Sequence, residues 1–246
     1  MKRRSNLGFT IIETMLFLGL TGILVMAMLV GTGTAIGAQR YQDSAVSLRA
    51  VFQQQYADVM TVANDRSSEW VCNNQAEVDE ASVGGGIGRG QSDCVILGKY
   101  ISSDDGTNID ISTVVGRIPS ESVAGDNDLT AIEEHQPSIS PIFPQSYSPD
   151  WGVILNPPES DELASFSVLI IRSPSSGVVR TFIDPDSAVA NRNIRSLLTQ
   201  ESLNSELEVC LNPDGVTLVK RIALAIAPGA TSANAVEIRG EELTSC

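Results

Sequence analysis

The chain has 246 residues, 42% of them hydrophobic, with 16 basic and 30 acidic residues and a formal net charge of −14 at pH 7. That length suits one sizeable domain plus an anchor, and the acidic balance opposes bulk attraction to nucleic acid. The chain has one histidine and four cysteines.

The chain opens with three positive charges, Lys2, Arg3 and Arg4, ahead of Gly8. Phe9-Thr-Ile-Ile-Glu13 follows, and an uncharged apolar run then continues to about Ala38. A carboxylate in a membrane helix is costly. Insertion scales give aspartate about +2.5 to +3.5 kcal/mol at the helix centre, less near an end, and such residues usually have a partner. A cut after Gly8 would create one, the new amine of Phe9. Within one helix that amine lies four residues from Glu13, and the amine of a neighbouring subunit is an equally good target. Pairing across subunits would set axial register, as a buried ion pair can.

The string RRSNLGFTIIETMLFLGLTGILV resembles the class III signal and first helix of type IV prepilins and pseudopilins. The resemblance covers about the first 65 residues. It implies cleavage by prepilin peptidase between Gly8 and Phe9, methylation of the Phe9 amine, and a role for Glu13 in assembly. Many members carry a proline where this chain has Val30, so Gly31, Gly33 and Gly37 become the candidates to soften the helix. A secretory signal has an apolar region of only 7–15 residues. A plain single-pass anchor explains the leading basic residues but not Glu13.

Beyond the apolar run, Tyr41, Ala45, Leu48, Phe52, Tyr56, Val59 and Ala63 recur at spacings of three and four, one face of a helix. Gln42, Asp43, Arg49, Gln53 and Asp58 fill the other faces, and no proline interrupts residues 9–66. One continuous helix is expected, its second half packed on a head. The division is a leader over 1–8, a membrane or filament-core helix over 9–38, an amphipathic continuation over 39–66 and a head over 67–246.

Val83–Asp93 is glycine-rich and reads as a surface loop, since a phosphate loop needs a strand before it and a helix after it. Strands are expected at Cys94–Ile101 and Ser112–Ile118, then a loop-like, proline-rich region over 119–149 and a short strand Trp151–Leu155. Ser165–Arg172 and Gly177–Ile183 flank a four-residue loop, a hairpin signal. Residues 187–203 read as a helix with Ser187 as N-cap and Ile194, Leu197 and Leu198 on its apolar face. Leu207–Leu211 and Val216–Ala227 flank the turn signal Asn212-Pro-Asp-Gly215, and a last strand is expected at Ala235–Ile238. The fold class is α+β, a long helix on an antiparallel sheet.

All four cysteines follow the apolar run, and an extracytoplasmic compartment permits disulfides. Four cysteines allow three connectivities. Cys72–Cys94 and Cys210–Cys246 are expected, because each pair brackets one local unit. No close Cys-x-x-Cys or histidine spacing favours zinc. His135, between polar and proline-rich neighbours, reads as a solvated loop residue. Asp104, Asp105, Asn108 and Asp110 resemble an oxygen-rich calcium loop without the EF-hand spacing, so a polar turn is the default. Asp184, Asp186 and Asn191 are a similar case. Arg192 and Arg195 read as a solvated helix face.

These readings, with the resemblance, imply a non-catalytic subunit with no cofactor, a minor rather than a major pilin on account of its bulky head. The resemblance implies further partners: other pilin subunits through the N-terminal helix, prepilin peptidase, and an inner-membrane assembly platform with its ATPase. It places the precursor in the cytoplasmic membrane with a short cytoplasmic leader, then in a cell-surface or periplasmic filament serving adhesion, twitching motility or DNA uptake. Two alternatives stand beside it. One is a pseudopilin of a type II secretion system. The other is a membrane-tethered extracytoplasmic enzyme or binding protein. What the head binds, host surface or nucleic acid, is left open by the residues.

Overall fold

The structure, a computed structural model, describes residues 10–61, 70–73, 78–80, 94–119, 127–142, 144–189, 191–213, 221–240 and 246. Its first element is α1, Ile11–Thr61, about 76 Å long at 1.5 Å per residue. It runs without a break through Gly31, Gly33 and Gly37, so the glycines do not interrupt it. Its burial begins at Tyr41 and continues through Ser44, Ala45, Leu48, Phe52, Gln55, Tyr56 and Val59, the stripe that the three-and-four spacing requires.

Among the described residues three antiparallel sheets follow. The smallest pairs β1 (Trp70–Cys72) with β2 (Val78–Glu80). The largest contains β3 (Cys94–Ser103), β4 (Ile109–Arg117), β5 (Ser138–Ile139), β6 (Gln145–Tyr147), β8 (Phe166–Arg172) and β9 (Val179–Asp184). Its order is β5-β4-β3-β8-β9, with β6 also pairing β4. The third sheet contains β7 (Val153–Asn156), β10 (Leu207–Pro213), β11 (Ile222–Ile226) and β12 (Val236–Gly240), in the order β12-β11-β10-β7.

The expected single sheet is therefore corrected. The buried stripe of α1 shares one core with Ile101, Ile109, Phe166, Val168 and Ile170 of the six-stranded sheet and with Leu155, Leu207, Val209, Leu224 and Val236 of the four-stranded sheet. A second cluster lies on the far face of the larger sheet, where Leu97, Tyr100, Leu169, Ile171 and Phe182 meet Ile132, Ile194, Leu197 and Leu198. This explains β8: alternate side chains of Val168-Leu-Ile-Ile171 enter opposite clusters, so the strand is an unbroken apolar run.

Two further expectations change. The stretch 119–149 is not all loop: α2, Asp128–Glu134, begins at Asn127, whose side chain accepts a hydrogen bond from the Thr130 N–H at 2.9 Å. The N-cap signal is local, and the surrounding prolines masked it. Residues 187–203 do not form one helix. A 3₁₀ segment, Asn191–Leu197, is followed by α3, Gln200–Asn204, whose N-cap is Thr199. The hydroxyl of Ser187 instead donates to Asp184 Oδ2 at 2.7 Å. The apolar residues Ile194, Leu197 and Leu198 are buried as expected, because even a broken helix presents them to one face. The glycine-rich stretch 83–93 and the second half of the Asn212–Gly215 turn lie outside the described residues.

Candidate functional site: the exposed half of the long helix

From Ile11 to Arg40 no side chain of α1 is buried. This half contains an 18-residue window of mean hydropathy 2.2 with none of it covered by the fold. Water does not tolerate such a row of Ile11, Ile12, Met15, Leu16, Phe17 and their successors, so the helix is compatible with a membrane anchor or a signal sequence.

The threonines in this half are accounted for one by one. Thr14, Thr21, Thr32 and Thr34 each donate their hydroxyl to a carbonyl three or four residues back in the same helix. They need nothing from outside. Thr10 accepts a hydrogen bond from the Glu13 N–H through its hydroxyl oxygen at 3.3 Å. Thr10-x-x-Glu13 is thus one half of a capping box, and an acidic residue in the first turn suits the helix dipole. Sequence reading missed this local role, although the Thr-x-x-Glu spacing was in plain view. The Glu13 side chain itself makes no ion pair among the described residues.

Gly8 and Phe9, the expected cleavage junction, lie outside the described residues. Cys210 and Cys246 form a disulfide with Cα atoms 5.6 Å apart. Cys94 is disulfide-bonded too. The side chain of its expected partner, Cys72, is outside the described residues.

Where the helix enters the head, polar side chains lock it. The Tyr41 hydroxyl donates to the Leu211 carbonyl at 2.6 Å and accepts from the Ile222 N–H at 3.1 Å. Further along the helix, Arg49 Nε donates to the Val236 carbonyl at 3.1 Å and Gln53 Nε2 to the Ala233 carbonyl at 3.2 Å. These two residues, placed by periodicity off the apolar face, tether β12 and the turn that leads into it. Near the end of the helix, Thr181 donates its hydroxyl to the Ala230 carbonyl at 2.7 Å. Its single proton is spent there, so Tyr56 is the donor in the 3.0 Å contact between the two hydroxyls. Burial pushes the Tyr56 phenol up to about 12 and also raises that of Tyr41. Both shifts mark structural tyrosines, neutral at ordinary pH.

Several of the remaining candidates have structural partners. His135 is not a solvated loop residue: it caps the C-terminus of α2, and its Nδ1 lies 2.7 Å from the Ala131 carbonyl. A carbonyl only accepts, so Nδ1 carries the proton. Asp105 Oδ1 accepts from the N–H groups of Thr107 and Asn108 at 2.9 and 3.0 Å, a turn closed on itself. The Thr107 N–H is the main cause of the lowered Asp105 carboxyl. Asp184 Oδ1 accepts from the Asp186 N–H at 3.1 Å. Arg195 donates to the carbonyls of Pro137 and Gln136, and the side chains of Asn191 and Arg192 are outside the described residues. Among the described residues no group of three or more His, Cys, Asp and Glu stands ready for a metal.

Compared with known proteins, the chain matches no family model, no curated protein and no solved structure.

Proposed function

We propose that this chain is a structural subunit, a minor pilin, of a type IV pilus-like filament. The observation that carries the reading is the division of labour along α1. Its second half is built into the head core, while its first half is apolar, exposed and headed by a carboxylate without an ion pair among the described residues. In the membrane, lipid covers the first half. In a filament, the same surface packs against its equivalents in neighbouring subunits, and Glu13 meets an adjacent Phe9 amine freed by peptidase. The drive for the move comes from a separate ATP-driven assembly platform. The filament then serves adhesion, twitching motility or DNA uptake, or, as a pseudopilin, type II secretion.

One observation favours a second reading. In the first turn of α1 the Glu13 carboxylate suits the helix dipole, a local task that is all a membrane-tethered extracytoplasmic binding protein or enzyme needs. Mass spectrometry and fractionation separate the two. The filament reading expects a mature N-terminus at methylated Phe9, and an uncleaved precursor for Gly8→Leu. It further expects Glu13→Ala to be cleaved but lost from sheared filaments. Normal incorporation of Glu13→Ala, or a mature start elsewhere, defeats it.

A further inference from the structure

Trp151 is 62% exposed, yet the fold holds it in an unusual state. Its φ is 62°, followed by Gly152 at φ 70°. A bulky side chain in the left-handed region is a true outlier, and strain of this kind concentrates at functional positions. Burial does not repay the strain here. The indole instead lies under a cation from the long helix: Arg40 Cζ is 4.5 Å from the ring centroid, within cation–π range.

The position of Arg40 gives the pair its meaning. Between Glu13 and Arg40 the helix carries no charged residue. The 27 steps between them span about 40 Å at 1.5 Å per residue. A bilayer is about 30 Å thick in its hydrocarbon core and about 40–45 Å with its headgroups. With Glu13 at one headgroup layer, Arg40 arrives at the other. The next residue, Tyr41, is the first buried in the head, so the base of the head is level with the membrane surface there. Trp151, fixed against Arg40, is at the same level.

We propose that Trp151 and Arg40 together form an interfacial anchor that seats the base of the head in the phospholipid headgroup layer while the subunit resides in the membrane. The indole enters the boundary between headgroups and acyl chains, where tryptophan is favoured. The Arg40 guanidinium, held over the ring, offers its N–H donors to lipid phosphate. Asp43 and Asp150 stand close by in sequence and the chain is strongly acidic, so attraction by net charge is absent. An aromatic attachment works regardless. The proposal rests on the membrane reading of α1 and adds to it a contact made by the head.

The full chain in phosphatidylcholine vesicles tests this. The chain has two tryptophans, so in Trp70→Phe only Trp151 emits. Bromine placed high on the lipid acyl chain is expected to quench that emission more than bromine at the bilayer centre, and aqueous iodide to quench it weakly. Ready iodide quenching without bromolipid quenching puts Trp151 in water and overturns the proposal. Protection from both that grows with protein density means a second copy covers Trp151, and overturns it too. A control carries Leu24→Trp with Trp70→Phe and Trp151→Phe, so that its only indole is in the middle of the apolar run. If mid-bilayer bromine fails to quench that introduced indole, the helix is not in the membrane and the underlying reading falls first. If the control is quenched but Trp151 is spared, only the anchor falls.

Discussion

The hydroxyl of Tyr41 stands between the Leu211 carbonyl and the Ile222 N–H, two residues that are register partners in the β10–β11 ladder. The long helix thus inserts its own donor and acceptor into the end of a sheet ladder. The first buried side chain of α1 is both a core residue and a clamp, and it sits one position from the uncovered half. A load on the apolar half therefore reaches the four-stranded sheet through this contact.

Tyr41→Phe keeps the ring and removes the clamp. The Leu211 carbonyl and Ile222 N–H lose a partner in a mostly dry place, which costs about 1–3 kcal/mol. Urea unfolding of the variant is expected to show a lower midpoint at an unchanged slope. An unmoved midpoint would show that the two strands close the bond between themselves.

Alkaline pH isolates Tyr56. Its phenol is held neutral up to about 12 by burial, against 10.0 for a free tyrosine. Above pH 10 the unfolded chain loses this proton while the folded one keeps it. Protons bound are then fewer in the unfolded state, so stability falls as pH rises. The contribution is whole below pH 10 and is lost towards 12, roughly 2–3 kcal/mol in all. Stability of the wild type minus that of Tyr56→Phe, measured across this window, is expected to decline by that amount. A flat difference would contradict the burial-driven shift.

The Cys210–Cys246 bridge closes a segment with a sequence separation of 36. On the chain-entropy model such a loop stabilises by about 4 kcal/mol. Cys246→Ser is expected to lower the melting temperature under oxidising conditions. Under reducing conditions the difference between variant and wild type should shrink towards nothing.

Gly98 tests the packing of β3 on β8. A Cβ at this position would stand 1.9 Å from the backbone oxygen of Ile170, at the register irregularity between Ile96 and Gly98. Backbone cannot swing aside as a side chain can. Gly98→Ala is expected to cost about 3 kcal/mol or more, visible as loss of the cooperative unfolding transition or a sharply lower midpoint. Tolerance of alanine would mean that the two strands are further apart than described.

The residues alone determined much of this protein. The apolar run with its one carboxylate, the three-and-four stripe from Tyr41 to Val59, the Cys210–Cys246 pairing and the hairpin around the 173–176 loop all follow from periodicity, charge and spacing. These are short-range signals, and they survive whatever the rest of the chain does. The cost of a carboxylate at Glu13 is of the same kind, since it depends only on the apolar neighbours along its own helix. Tertiary structure decided the rest. Whether β8 has one covered face or two depends on α2 and the 3₁₀ segment being laid across it. Whether Arg49 and Gln53 meet water or the backbone around β12 depends on chain more than 170 residues away. Gly98 gives no sign of its constraint until Ile170 arrives beside it, and Trp151 none until Arg40 lies over its ring. Periodicity says that a face is apolar, but only the folded chain says what covers it.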